Sequence, residues 1–148
     1  MDELRNLSYT MEAVDILVAP PMTLLVPVAE WVSGSRVAVA AQNMHHEQKG
    51  AFTGEVSASM IREAGCSHVI LGHSERRHVF GEKDDFINKK VLAALRDDLV
   101  VVLCVGETID EREDERTLEV VLGQLDAALA GVDDEDVPGI ILAYEPVW

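Results

Sequence analysis

Five short aliphatic runs, apolar through their centres, do most to constrain how this chain folds: Asp15–Ala19, Val37–Ala41, His68–Gly72, Leu99–Val105 and Gly139–Tyr144. A strand without polar alternation is covered on both faces, which is the signature of a parallel sheet. The segments between the runs are long enough for the crossovers that parallel pairing demands. They also read as helices. Leu24–Val32 carries Pro27 near its first turn, where a missing N–H costs least. Ala58–Ala64 is stopped by Gly65, Asp84–Arg96 sets Ile87, Val91 and Leu95 on one face, and a charged segment over 110–116 leads into a helix with Leu118, Val121, Leu122 and Leu125. Leu4, Leu7 and Met11 predict one further helix over 1–12. Gly131–Pro138 is an acidic turn. Helices alternating with parallel strands define an α/β fold. Periodicity alone does not separate an open doubly wound sheet from a closed barrel.

A length of 148 residues suits one domain with a sizeable core, and 48% hydrophobic residues against 26% charged is a globular rather than a disordered composition. Asp and Glu number 27 against 12 Lys and Arg, and the net charge of −15 argues against nucleic acid and anionic membrane surfaces as partners. Cys66 and Cys104 lie far apart with no signal peptide ahead of them, so reduced thiols and a cytoplasmic location are expected. No apolar run approaches the roughly 20 residues of a membrane span.

Chemistry is concentrated where the third run ends. In Val69-Ile70-Leu71-Gly72-His73-Ser74-Glu75-Arg76-Arg77, an apolar strand passes through glycine directly into polar and ionisable residues. Backbone N–H groups at a helix start there favour negative charge and disfavour an imidazolium. The bland reading is a capped helix with a solvated Arg pair. Two other motifs lead nowhere. A nucleophile elbow would need a second glycine where Arg76 stands, so a serine hydrolase is not expected. His45-His46-Glu47 has no further ligands at a metal-like spacing and reads as a solvated loop, so no metal is expected.

Four more strings accompany Gly72–Arg77: Ala41-Gln42-Asn43, Gly50-Ala51-Phe52-Thr53-Gly54-Glu55, Cys104-Val105-Gly106-Glu107 and Ala143-Tyr144-Glu145-Pro146-Val147-Trp148. In order and spacing the set strongly resembles triosephosphate isomerases of the bacterial kind, over essentially the whole chain. The resemblance implies a (β/α)8 barrel, and such barrels take about 250 residues. Residues 1–148 are then a single partial barrel domain with the counterparts of strands two to six, lacking the first strand, the lid after strand six, and strands seven and eight.

The resemblance also implies a function: cofactor-free interconversion of glyceraldehyde 3-phosphate and dihydroxyacetone phosphate, in glycolysis and gluconeogenesis. Such an isomerisation needs a base to move a proton between carbons and an electrophile to hold the enediolate charge. By the resemblance Glu145 is the base and His73 the neutral imidazole electrophile. Asn43 supports the site and Ser74 is a helix N-cap lying near the base. Glu75 and Arg76 brace the site and the subunit contact, with Glu75 in a buried ion pair whose lysine this chain does not contain. Arg76 and Arg77 are expected in structural pairs. Cys104 is a small buried hydrophobe near the base, and Glu107 anchors a strand end. Gly50, Phe52, Thr53 and Gly54 form a loop that enters a neighbouring subunit, making a homo-oligomer, most simply a dimer. Two readings follow: an isomerase sequence that supplies base and electrophile but is inactive or nearly so as this chain, or a non-catalytic, self-associating α/β module.

Overall fold

The computed structural model describes residue 6, residues 8–10 and residues 13–148. The helix expected over 1–12 falls for the most part outside the described residues. Each aliphatic run forms a strand: β1 (Ile16–Val18), β2 (Val37–Ala41), β3 (His68–Leu71), β4 (Val100–Val105) and β5 (Ile140–Tyr144). All neighbours pair in parallel in the order β1-β2-β3-β4-β5, so the sheet follows the sequence without a switch of direction. That order is one of a progressive winding, as in a barrel wall. A doubly wound sheet would reverse direction partway.

The crossovers are helical. They comprise α1 (Leu25–Val32, entered through a 3-10 turn at Met22–Leu24), α2 (Ala58–Glu63), α3 (Ser74–His78), α4 (Asp84–Arg96), α5 (Ile109–Glu113) and α6 (Thr117–Ala128). The charged segment over 110–116 departs from expectation in being a helix of its own rather than a run-in. Thr108 and Glu111 cap α5 reciprocally, and Glu115, at φ 59°, breaks it from α6.

The core lies between the sheet and these helices. Val39, Val69, Leu71, Val101 and Leu103 point outward from the strands to meet Leu25, Ile61, Ile87, Val91 and Ala94 from the helices, all of them buried. Lys90 sits on this same buried face of α4, between Ile87 and Ala94, and is 1% exposed. The two ends of the sheet differ from its centre: Leu17 on β1, and Ile141, Leu142 and Tyr144 on β5, are exposed.

Removing volume from the centre should therefore be costly and removing it from the flank should not. Leu103→Ala, at a site with no exposure, is expected to lower unfolding free energy by about 2–5 kcal/mol, whereas Leu118→Ala on the 73%-exposed flank of α6 should change it by less than about 0.5 kcal/mol. Urea denaturation followed by circular dichroism measures both.

Candidate active site

Parallel winding brings all strand carboxyl ends to one rim, and polar or ionisable residues follow at the first or second position beyond β2 to β5. Asn43 follows β2, His73 follows β3, Glu107 follows β4 and Glu145 follows β5. At this rim His73 Nε2 lies 3.2 Å from Glu145 Oε2. The backbone N–H of Glu75 donates to His73 Nδ1 (3.3 Å), leaving the proton of a neutral ring on Nε2, the nitrogen that faces the carboxylate. The N-cap of α3 is therefore His73 itself. Ser74, expected to cap, instead occupies the first helical position, because the imidazole already accepts the orphan N–H.

A cleft of about 440 Å³ opens beside His73, lined also by Gln42, Asn43, Ile70, Glu75, Arg76 and Phe80. Glu145 reaches it through His73 and does not line it. Glu75 is not in a buried ion pair: its side chain is 75% exposed, with Oε2 3.9 Å from His73 Nδ1. Glu82 takes that buried role. Its Oε1 accepts from Arg76 Nε at 2.7 Å and from Lys90 Nζ at 2.5 Å, and Lys90 also donates to Asn43 Oδ1 at 2.8 Å. Burial pulls the Lys90 ammonium below its ordinary pKa, and Glu82 works against that pull. Arg76 is thus paired as expected, and so is Arg77, which binds Asp84.

Behind the pair, β4 and β5 run in register to Val105↔Tyr144, and Glu145 N then donates to Val105 O at 2.8 Å. Gly106 makes room for this. A Cβ there would sit 1.9 Å from the Glu145 carbonyl oxygen, so no side chain fits. Cys104 is buried beneath the carboxylate, and burial, reinforced by Glu145 and opposed by Arg77, pushes its thiol up to about 11. A thiol so protonated is not a nucleophile.

Glu107 is fully buried, with its oxygens accepting from Tyr144 Oη (3.0 Å), Arg112 and Thr117. Burial pushes its carboxyl up, but backbone, Tyr144, Arg112 and Thr117 hydrogen bonds outweigh burial and hold it below the ordinary value. It anchors the strand end, and its oxygens are used up in doing so. In the loop after β2, Thr53 and Gly54 are exposed at the tip while Phe52 folds back onto His45, ring to ring at 4.4 Å. Gly50 sits at φ +146°, a backbone conformation that other residues rarely adopt, and a Cβ there would also meet the Phe52 ring at 2.6 Å. His45 does not stand in a solvated loop: it is buried, and its Nδ1 accepts from Glu47 N.

A curled parallel sheet with outer helices, and with an imidazole and a carboxylate meeting at its carboxyl rim, defines a segment of a (β/α)8-barrel protein. The family model for triosephosphate isomerase matches residues 1–148. A triosephosphate isomerase of Herpetosiphon aurantiacus is 53% identical over 134 residues, covering 90% of this chain and 54% of the relative. One from Pelobacter propionicus is 49% identical over 148 residues, or 100% of this chain and 59% of the relative. The crystal structure of triosephosphate isomerase from Bartonella henselae superposes with a TM-score of 0.90 at 41% identity, over 99% of this chain and 62% of that one. The chain belongs to the triosephosphate isomerase family and is an incomplete barrel, spanning little more than half the length of these curated relatives.

The buried thiol has a measurable consequence. The folded state keeps the Cys104 proton to about pH 11, while an unfolded chain releases it near the ordinary value of 9.0. Above that value the unfolded state binds fewer protons, so stability falls as pH rises. Between pH 9 and 11 a loss of roughly 1 kcal/mol per pH unit is expected, and Cys104→Ala should flatten the slope in denaturant titrations.

Proposed function

We propose that these residues carry the proton-transfer half of a triose phosphate isomerase site. Glu145 removes a proton from the carbon beside the substrate carbonyl and returns it to the neighbouring carbon. The Nε2–H of neutral His73 donates a hydrogen bond to the oxygen on which enediolate charge develops. The observation that carries this reading is the 3.2 Å approach of His73 Nε2 to Glu145 Oε2 at the carboxyl ends of β3 and β5, the strands on either side of β4. A substrate entering the cleft would part the two groups and take their place as partner to each. The substrate class, glyceraldehyde 3-phosphate and dihydroxyacetone phosphate, comes from the family.

A chain of these 148 residues by itself is expected to be a poor catalyst. Among the described residues lining the cleft the one cation is Arg76, and it is bound to Glu82, which leaves no group for a phosphate. His73 and Glu145 side chains are 31% and 48% exposed, so water reaches the reacting groups. Each missing preorganised donor costs about 10²- to 10³-fold. Coupled-enzyme kinetics should give kcat at least about 10²-fold below the ~10 s⁻¹ typical of enzymes. A kcat within roughly tenfold of that scale, abolished by His73→Gln and Glu145→Asp, would show the site to be complete.

The exposed sheet ends favour a second reading, self-association. β1 and β5 are edge strands bearing Leu17, Ile141, Leu142 and Tyr144 in the open. Edges with apolar side chains template pairing with another chain. The charge of −15 limits growth into aggregates, so a small closed oligomer, most simply a dimer, is expected. Light scattering after size exclusion should give at least twice the 16.2 kDa chain mass at micromolar concentration; a stable monomer overturns this reading.

A further inference from the structure

Arg77 takes no part in the reading above, yet it is tied at three places to the frame that holds the pair. Its side chain is only 9% exposed. Nε donates to Gly72 O at 2.7 Å, Nη2 to Cys104 O at 3.4 Å, and Nη1 binds Asp84 Oδ1 at the start of α4. The location of these acceptors matters. The β3–β4 ladder ends at Leu71↔Leu103, and Gly72 and Cys104 are the next residues on each strand. Gly72 turns away at φ +73°, so no further backbone pairing joins the two strands. Where the ladder stops, the guanidinium bridges the two carbonyls. The space is tight: a Cβ on Gly72 would lie 2.9 Å from Cys104 O and 3.0 Å from Arg77 Nη2.

What hangs from those carbonyls is the site. His73 follows Gly72 directly. Cys104 pairs with Ala143, and Val105 O receives the Glu145 N–H. We propose that Arg77 is a positioning residue: by joining the Gly72 and Cys104 carbonyls beyond the end of the β3–β4 ladder, its guanidinium sets the span between the His73 imidazole and the Glu145 carboxylate. The role requires arginine. A planar fork with five fixed donors holds two carbonyls and a carboxylate at once, whereas a lysine ammonium is a single point on a flexible stem. The inference rests on taking His73 and Glu145 as the functional pair, and its test uses a readout independent of turnover.

That readout is the His73 ring-nitrogen resonance in a proton–nitrogen correlation spectrum of the whole chain, assigned with His73→Gln. Glu145→Gln supplies the spectrum of a broken contact. Arg77→Lys and Arg77→Gln are expected to move the His73 Nε2 signal by at least half of that displacement, leaving the signals of buried His45 and the circular dichroism unchanged. A folded Arg77 variant with an unmoved His73 signal overturns the proposal, because a merely structural role would leave the pair intact. Should both variants unfold, Asp84→Asn, which releases one tie of the guanidinium without touching the strand ends, must move the same signal in the same direction; silence there also overturns it. If Glu145→Gln itself leaves His73 unmoved, the pair does not exist, and the functional reading falls together with this one.

Discussion

Parallel pairing is the constraint from which the rest of the structure follows. A parallel strand reaches its neighbour only after a crossover, so every strand here enters from one side and leaves at the same rim. The aliphatic residues that satisfy the ladder and the helices leave little place for charged groups within the strands. Polar and ionisable groups collect just past the ends instead, at Asn43, His73, Glu107 and Glu145. Rim position alone does not confer chemistry, as Glu107 shows. It stands where a catalytic carboxylate would, but Tyr144, Arg112 and Thr117 saturate its oxygens and burial removes it from any substrate. Glu145 keeps a half-exposed carboxylate directed at an imidazole.

The cleft wall beside His73 depends on a buried charge cluster. Glu82 and Lys90 are almost fully buried and lie against each other, and a buried charge is tolerated where it is paired. Glu82 fixes Arg76 and Lys90, and Lys90 fixes Asn43, so one carboxylate sets both Arg76 and Asn43 around the opening. Lys90 lies on α4 between core residues, which also ties the cleft to the sheet–helix packing. The cations nearest the cleft, Arg76 and Lys90, are thereby committed to structure.

The strands and the four longest helices among the described residues were legible in the sequence because their signals are local: unbroken aliphatic runs, helical spacing, and a glycine after Ala58–Ala64. The His73–Glu145 pair was legible only through motif order, since residues 73 and 145 are brought together by strand topology that no periodicity reports. Helix α5 was hidden because a charge-rich run reads as a solvated lead-in unless the Thr108–Glu111 capping box is noticed. Glu75 and Ser74 were misjudged for the same reason: capping and pairing were assigned by residue type, and the neighbours that won those roles, His73 and Glu82, depend on side-chain direction. Lys90 did leave a trace. A lysine at the third position after Ile87 and the fourth before Ala94 lies on the apolar stripe of α4, where it must find a buried acid.

The two functional groups are not held equally. His73 follows β3, the central strand, paired on both sides and backed by Val69 and Leu71 with essentially no exposure. Glu145 follows β5, an edge strand paired only with β4, whose neighbours Ile141, Leu142 and Tyr144 face solvent. Local opening begins where few buried contacts and unpaired backbone groups coincide, as at the edges of a sheet, and β5 is one of the two edges here. His73 therefore stands on the doubly paired centre of the sheet and Glu145 on one of its edges. What holds Glu145 is local: the ladder from Val101 to Val105, the Val105 carbonyl and the gap left by Gly106. Any polypeptide that pairs with the outer side of β5 would act on the Glu145 carboxylate first and on the His73 imidazole only through it.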